Sequence, residues 1–217
     1  IWIIGNEPNL AAERPGGPAN GEPITPAKYV RAFGACREEI RRRPGHDADQ
    51  VVMAAVGPWN VQTTYPGNLN GDWIIYFQDI LGGLAGAVDG IAIHTYARDS
   101  DPASLASDAR MDPPFQNRRK AFRTYIDFAE AIPLELRHLP LYLTETNQNT
   151  AWPNASTGWI QEAYGEIARW NDNPLNQKIR CMLLYRWDKQ DMWYLKGKNR
   201  ALDDFRDAMR NDYRWRD

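Results

Sequence analysis

The chain has 217 residues, 43% hydrophobic and 25% charged, with a formal net charge of −2. That length suits one domain with a sizeable core, and the balance is that of a globular rather than a disordered chain. The small net charge lacks the electrostatic footprint of a partner for nucleic acid or an anionic membrane, and no apolar run approaches the ~20 residues of a membrane span.

Ile1 to Ile4 is an apolar run rich in β-branched residues, which reads as a strand buried on both faces of a parallel sheet. It stops at Gly5. Asn6, Glu7, Pro8 and Asn9 are poor at continuing a strand, and Pro8 biases Glu7 towards an extended backbone. A carboxylate therefore stands at the tip of a buried strand. The chain opens on Ile1 with neither Met nor a signal peptide, so upstream sequence is expected. After a loop rich in Pro, Gly and Asn, Thr25-Pro26 reads as an N-cap with Pro at the first helical position. Tyr29, Val30, Phe33, Cys36 and Ile40 form the apolar stripe of that helix. Arg41-Arg42-Arg43 close it, where basic groups suit the helix dipole.

Val51 to Val56 is the second strand, ended by Gly57-Pro58-Trp59-Asn60. A helix follows Gly71, with Trp73, Ile74, Phe77, Ile80, Leu81 and Leu84 as its apolar side. The third strand, Ile91 to Ile93, ends at His94-Thr95-Tyr96. Its loop carries Asp99, Asp101, Asp108 and Asp112 and leads to a helix expected from about Pro114 to Ala131, with Phe115, Phe122, Tyr125, Ile126 and Ala129 in register. The fourth strand, Leu141 to Thr144, ends at Glu145. A helix from about Thr157 to Trp170 precedes the fifth strand, Ile179 to Tyr185, which ends at Arg186-Trp187-Asp188. The last helix is expected near Asn199 to Arg210.

Strand, loop and helix thus repeat five times without a hairpin signal, the pattern of parallel βαβ units. The strands open at Ile1, Val51, Ile91, Leu141 and Ile179, so each repeat takes about 40 to 50 residues, against ~30 for a minimal unit. The excess lies mainly in loops after the strands, as on the active-site face of a TIM barrel. A doubly wound sheet is the alternative, but it usually carries a Gly-rich phosphate turn after a strand, and Gly5-Asn6-Glu7-Pro8 is no such cradle.

The strand ends offer Asn6 and Glu7, Trp59 and Asn60, His94 and Tyr96, Glu145 and Asn147, and Trp187 and Asp188. Two Glu residues on strands three apart are the equipment of glycoside hydrolysis, provided their environments push the two pKa values apart. Other readings stand beside this one. His94 reads as a satisfied core histidine or, beside Tyr96, as a group supporting substrate or nucleophile. Trp2, Trp73, Trp159, Trp170 and Trp215 lie inside elements and suit packing, whereas Trp59, Trp152, Trp187 and Trp193 lie in loops and suit packing or sugar stacking. The Asp-rich loop reads as solvated, its spacing too irregular for a cation site. Cys36 and Cys181 read as buried free thiols. The single N-glycosylation pattern at Asn154-Ala155-Ser156 is near chance.

The ordered set Gly5-Asn6-Glu7-Pro8-Asn9, His94-Thr95-Tyr96, Leu143-Thr144-Glu145 and Trp187 resembles the clan A retaining glycoside hydrolases, (β/α)8 barrels with catalytic Glu on strands four and seven. About ten residues carry the likeness. It implies an α/β fold, a TIM barrel of which the chain holds strands four to eight as one catalytic domain over 1–217. It implies Glu7 as general acid/base, Asn6 on the sugar 2-hydroxyl, Glu145 as nucleophile held by Tyr96, and Trp187 as the floor of the catalytic subsite. Strands one to three, which supply further subsite groups in that family, are missing from the likeness, so an upstream segment or a second chain is expected to complete the barrel.

The activity so implied is hydrolysis of a β-linked glycoside or polysaccharide by double displacement, with no cofactor and no metal. The alternative is an inert sugar-binding or scaffolding barrel fragment. A Schiff-base aldolase would want a Lys on a strand, and every Lys lies in a helix or loop. A metal isomerase would want clustered His and carboxylate, and one strand end alone offers His.

Overall fold

The computed structural model describes residues 1–214; Trp215 lies outside them. The strands are β1 (Trp2–Ile4), β2 (Val51–Met53), β3 (Gly90–His94), β4 (Leu141–Thr146) and β5 (Ile179–Leu184), in hydrogen-bonded order β1-β2-β3-β4-β5. The helices are α1 (Gly17–Asn20), α2 (Pro26–Arg42), α3 (Trp73–Leu84), α4 (Thr124–Ala131), α5 (Trp159–Asp172) and α6 (Asn199–Ala208). This is a parallel α/β sheet with flanking helices. Its sequential order lacks the reversal that defines a doubly wound sheet. The described chain falls into two compact units, Ile1–His94 with Asp127–Tyr142, and Thr95–Ile126 with Leu143–Asp217. No helix among the described residues is long and apolar enough to cross a membrane.

In the first unit β1 pairs β2 in register Trp2 with Val51, and β2 pairs β3 with Val52 opposite Gly90. A Cβ on Gly90 would lie 3.0 Å from the Tyr142 ring and 3.1 Å from Val52, so packing across the sheet demands glycine there. Thr25 caps α2, accepting the Lys28 N–H at 3.4 Å. The basic end of α2 is tied down by more than the dipole. Arg37 and Arg41 reach Asp89 at 3.1 and 2.7 Å, and Asp89 also accepts the Val51 N–H at 2.9 Å. One carboxylate thus joins α2 to the start of β2 and the approach to β3. Asp72 caps α3, whose Trp73, Ile74, Phe77 and Ile80 are buried, with Phe77 edge-on to Phe128 at 5.1 Å.

Three expectations change in this unit. Ladder pairing of β2 stops at Met53, although Ala54 to Val56 stay buried. β1 is not buried on both faces: Ile1 is 70% exposed, and Trp2 and Ile3 are 44% exposed. β1 ends the strand order, so among the described residues no strand covers its outer side, and the Trp2 indole donates to Asp49 at 2.6 Å. Cys36 faces solvent instead of the core.

In the second unit the Thr95 and Ala97 N–H groups donate to Glu145 and Asn147, and the Tyr185 N–H to Thr146. Trp159 is fully buried, edge-on to Trp152 at 5.2 Å and Phe122 at 6.0 Å. Asp204 of α6 accepts the Ile160 N–H and the Gln161 amide, anchoring α6 to the start of α5. Glu166 is buried between Arg123 and Arg169 at 2.7 and 3.0 Å. The helix expected from Pro114 begins only at Thr124. Ahead of it the chain doubles back on itself, with Met111 bonded to Arg118 and Lys120 to Ala109. Phe115 lies in that turn, where Pro113 and Pro114 supply no N–H for a helical ladder. Cys181 is half-buried, with its thiol pKa pushed up by burial.

Candidate active site

The first unit presents Glu7 on a braced strand end. The Tyr29 phenol of α2 donates to the Ile4 carbonyl at 2.8 Å and accepts the Ala54 N–H at 2.6 Å. It bridges the last residue of β1 and the first residue past β2. Burial pushes the phenol pKa up, so the proton needed for the bond to Ile4 stays on through the alkaline range. Gly5 follows with φ +90, a turn that a side chain would strain.

Glu7 itself has φ +32, in the left-handed region rather than the extended one that Pro8 favours. Tertiary anchors override the local bias. Pro8 and Asn9 are buried, and the Glu7 carbonyl accepts the Leu10 N–H at 2.7 Å. Strained non-glycine backbone persists where its surroundings over-determine it, and such residues cluster at functional sites. The Glu7 carboxyl is hydrogen-bonded to the buried His94 ring, Oε1 to Nδ1 at 2.8 Å. If Nδ1 carries the proton, the ring donates to a carboxylate; if the carboxyl carries it, Nδ1 accepts. The geometry serves both protonation states of Glu7. His94 thus belongs with Glu7 and not only beside Tyr96.

Asn9 and Gly57 stand next to Glu7. Asn9 Oδ1 accepts the Gly57 N–H and Nδ2 donates to the Gly57 carbonyl, both at 2.8 Å. Nδ2 also reaches the Asn60 carbonyl at 3.3 Å. Asn6 is exposed, and Trp59 is half-buried with φ +59.

The second unit presents Glu145 at the fifth position of β4, one residue further into the strand than expected. The Tyr96 phenol donates to Glu145 Oε1. Thr95, just before it, is fully buried and donates its hydroxyl to the Phe122 carbonyl, which fixes the backbone from which Tyr96 projects. Tyr185 carries a raised pKa, first from burial, then from its bond to Asp191, with the charge of Glu145 adding to the effect.

After β5 the chain closes on itself. The Arg186 N–H bonds Trp193, and the Leu195 and Lys196 N–H groups bond Arg186 and Trp187. Arg186 also pairs with Asp191 at 2.8 Å. Trp187 therefore has a fixed backbone and a 58% exposed indole. Trp152 is settled as packing: it is 3% exposed and donates to the Tyr185 carbonyl at 3.0 Å. Trp193 is half-buried and tilted against Tyr185.

Sequence reasoning missed three residues of the Glu7 surroundings. In the sequence Tyr29 reads as one position of an apolar stripe and Gly57 as a strand breaker, and Asn9 carries no role of its own. The one available signal was an Asn directly after Glu-Pro, a type whose side chain commonly bonds backbone in turns.

No family model matches the chain, and no curated protein sequence matches it. Among solved structures the chain is similar to a GH128 (subgroup VI) exo-beta-1,3-glucanase from Aureobasidium namibiae, with a TM-score of 0.48 and 14% identity, over 96% of this chain and 67% of that chain.

Proposed function

We propose that this chain is a glycoside hydrolase that cleaves a β-linked glycoside or polysaccharide with retention, using Glu7 as acid/base and Glu145 as nucleophile. The observation that carries the reading is a strained strand-end carboxyl, Glu7, bonded to a buried imidazole that accommodates it charged or neutral. In this reading the five strands are strands four to eight of a (β/α)8 barrel, and residues 1–217 act as one catalytic domain.

In the first step a Glu145 oxygen attacks the anomeric carbon, the glycosidic C–O bond breaks, and Glu7 gives its proton to the leaving oxygen. The Tyr96 O–H, donating to Glu145, stabilises the carboxylate before attack. In the second step Glu7, now ionised, takes a proton from water. The water oxygen attacks the anomeric carbon and releases Glu145 as carboxylate. His94 holds Glu7 in place through both states. Trp187 offers its exposed face to a sugar ring, and Asn6 reaches the 2-hydroxyl.

The test is a panel of aryl β-glycosides, with proton NMR of the first-formed sugar. The expected product retains the anomeric configuration, and Glu145→Ala abolishes turnover of every substrate. Glu7→Ala spares the first step for leaving groups that need no proton, then stalls at the glycosyl-enzyme. An inverted product overturns the assignment of Glu145. Glycan binding without hydrolysis across the panel selects the inert sugar-binding alternative.

A further inference from the structure

Gly57 has no conformational need to be glycine, because its φ is not among the positive values of this chain. What it lacks is room. A Cβ there would lie 3.0 Å from Glu7 Cδ, 3.1 Å from Glu7 Oε2 and 3.3 Å from Asn9 Oδ1. The carboxyl of Glu7 fills the place where a side chain would stand. Asn9 explains why the approach is so close. Its amide matches both backbone poles of Gly57. It is 1% exposed, so both bonds are shielded from water. Its own carbonyl accepts the hydroxyl of the buried Thr63 at 2.8 Å. The loop after β1 is thereby clamped to the loop after β2, two residues from Glu7 on one side and against its carboxyl on the other.

We infer that Asn9 and Gly57 are positioning residues that set the orientation of the Glu7 carboxyl, Asn9 by clamping the backbone and Gly57 by leaving the space its side chain occupies. A strained residue with a flexible side chain has several rotamers available, and proton transfer requires one. The wall at Gly57 and the bond to His94 bracket the carboxyl from two directions. The catalytic part of this inference rests on the glycosidase reading; the positioning part does not.

The two parts are tested separately on the full chain. In Gly57→Ala the new methyl meets the end of a side chain, so it displaces the Glu7 carboxyl while the fold survives; thermal melting checks this. The Nδ1 resonance of His94 in 15N NMR is expected to move from its wild-type position towards the one it takes in Glu7→Ala, where the Glu7 carboxyl is gone. Asn9→Ala is expected to move it the same way, and if that variant fails to fold, Gly57→Ala alone decides. An unmoved resonance in folded Gly57→Ala overturns the inference.

The kinetic arm compares kcat/KM for phenyl and dinitrophenyl glycosides. General acid catalysis contributes roughly 10²–10⁴-fold, so a displaced acid is expected to lower kcat/KM for the phenyl glycoside about 10–100-fold and for the dinitrophenyl glycoside several-fold less. Equal losses for both overturn the catalytic part. If the wild type hydrolyses no glycoside, the glycosidase reading fails, and the His94 resonance still decides whether Asn9 and Gly57 position Glu7.

Discussion

Tyr29→Phe removes one oxygen and leaves the ring in place. Tyr29 is 5% exposed and its ring packs near Phe33, with centroids 6.2 Å apart, so apolar burial is unchanged. What is lost is the acceptor of the Ala54 N–H and the donor to the Ile4 carbonyl. Ala54 is fully buried and lies one residue past the ladder of β2, where no strand partner replaces the phenol. A buried donor left unsatisfied costs about 1–3 kcal/mol. The Ile4 carbonyl is less enclosed and adds less, so the sum is about 2–3 kcal/mol. Tyr76→Phe is the matched control. Tyr76 is 1% exposed, and its hydroxyl has one bond, donated to the Ile24 carbonyl at 2.6 Å. Its removal orphans no N–H and is expected to cost about 1 kcal/mol.

Urea denaturation measures both variants, and amide hydrogen exchange reads the site directly. Protection of the Ala54 amide is expected to fall roughly 30–150-fold in Tyr29→Phe, the equivalent of 2–3 kcal/mol at ~1.4 kcal/mol per factor of ten. Protection within α3 should change by no more than the global loss. If Tyr29→Phe costs no more than Tyr76→Phe, or Ala54 exchange is unaltered, the brace between β1 and β2 is refuted as the support beneath Glu7.

Asp89 is expected to contribute to the acid stability of the first unit. Burial alone would raise its pKa, but the Val51 N–H and the Arg41 and Arg37 guanidinium groups outweigh burial and hold it below the usual carboxylate range. A depressed folded pKa gives stability that is complete above the unfolded value of ~3.9 and is lost as pH falls through the folded value. Asp89→Asn is therefore expected to lower stability by about 2 kcal/mol at neutral pH and to flatten the loss below about pH 4; an unchanged acid limb in urea titrations counts against this. On the proposed glycosidase reading, Trp187→Ala is expected to raise KM for oligosaccharides about tenfold while the melting temperature moves by less than about 2 °C, since its exposed indole contributes little to packing. A large fall in melting temperature with unaltered KM would make Trp187 a packing residue.

Features that depend on neighbours along the chain were legible in the residue order. Short apolar runs marked the strands, Thr25-Pro26 marked the start of α2, and helical stripes marked α2 and α3. Their alternation was enough for a parallel α/β sheet, and strand-end position put Glu7 and Glu145 forward as candidates. Periodicity misled where backbone donors decided: Phe115 and Phe122 match a helical register, but the two prolines between Asp112 and Phe115 make a turn instead.

Tertiary structure alone decided the rest, because those contacts join residues far apart in sequence. The bond of His94 to Glu7 spans 87 residues, and the clamp of Asn9 on Gly57 spans 48. No local pattern announces either. The left-handed backbone of Glu7 runs against the preference imposed by Pro8 and persists because Asn9, Gly57 and His94 hold the surrounding chain. Likewise β1 reads as a doubly buried strand from its composition, yet exposes Trp2 and Ile3, because exposure is set by what lies alongside and not by the run itself.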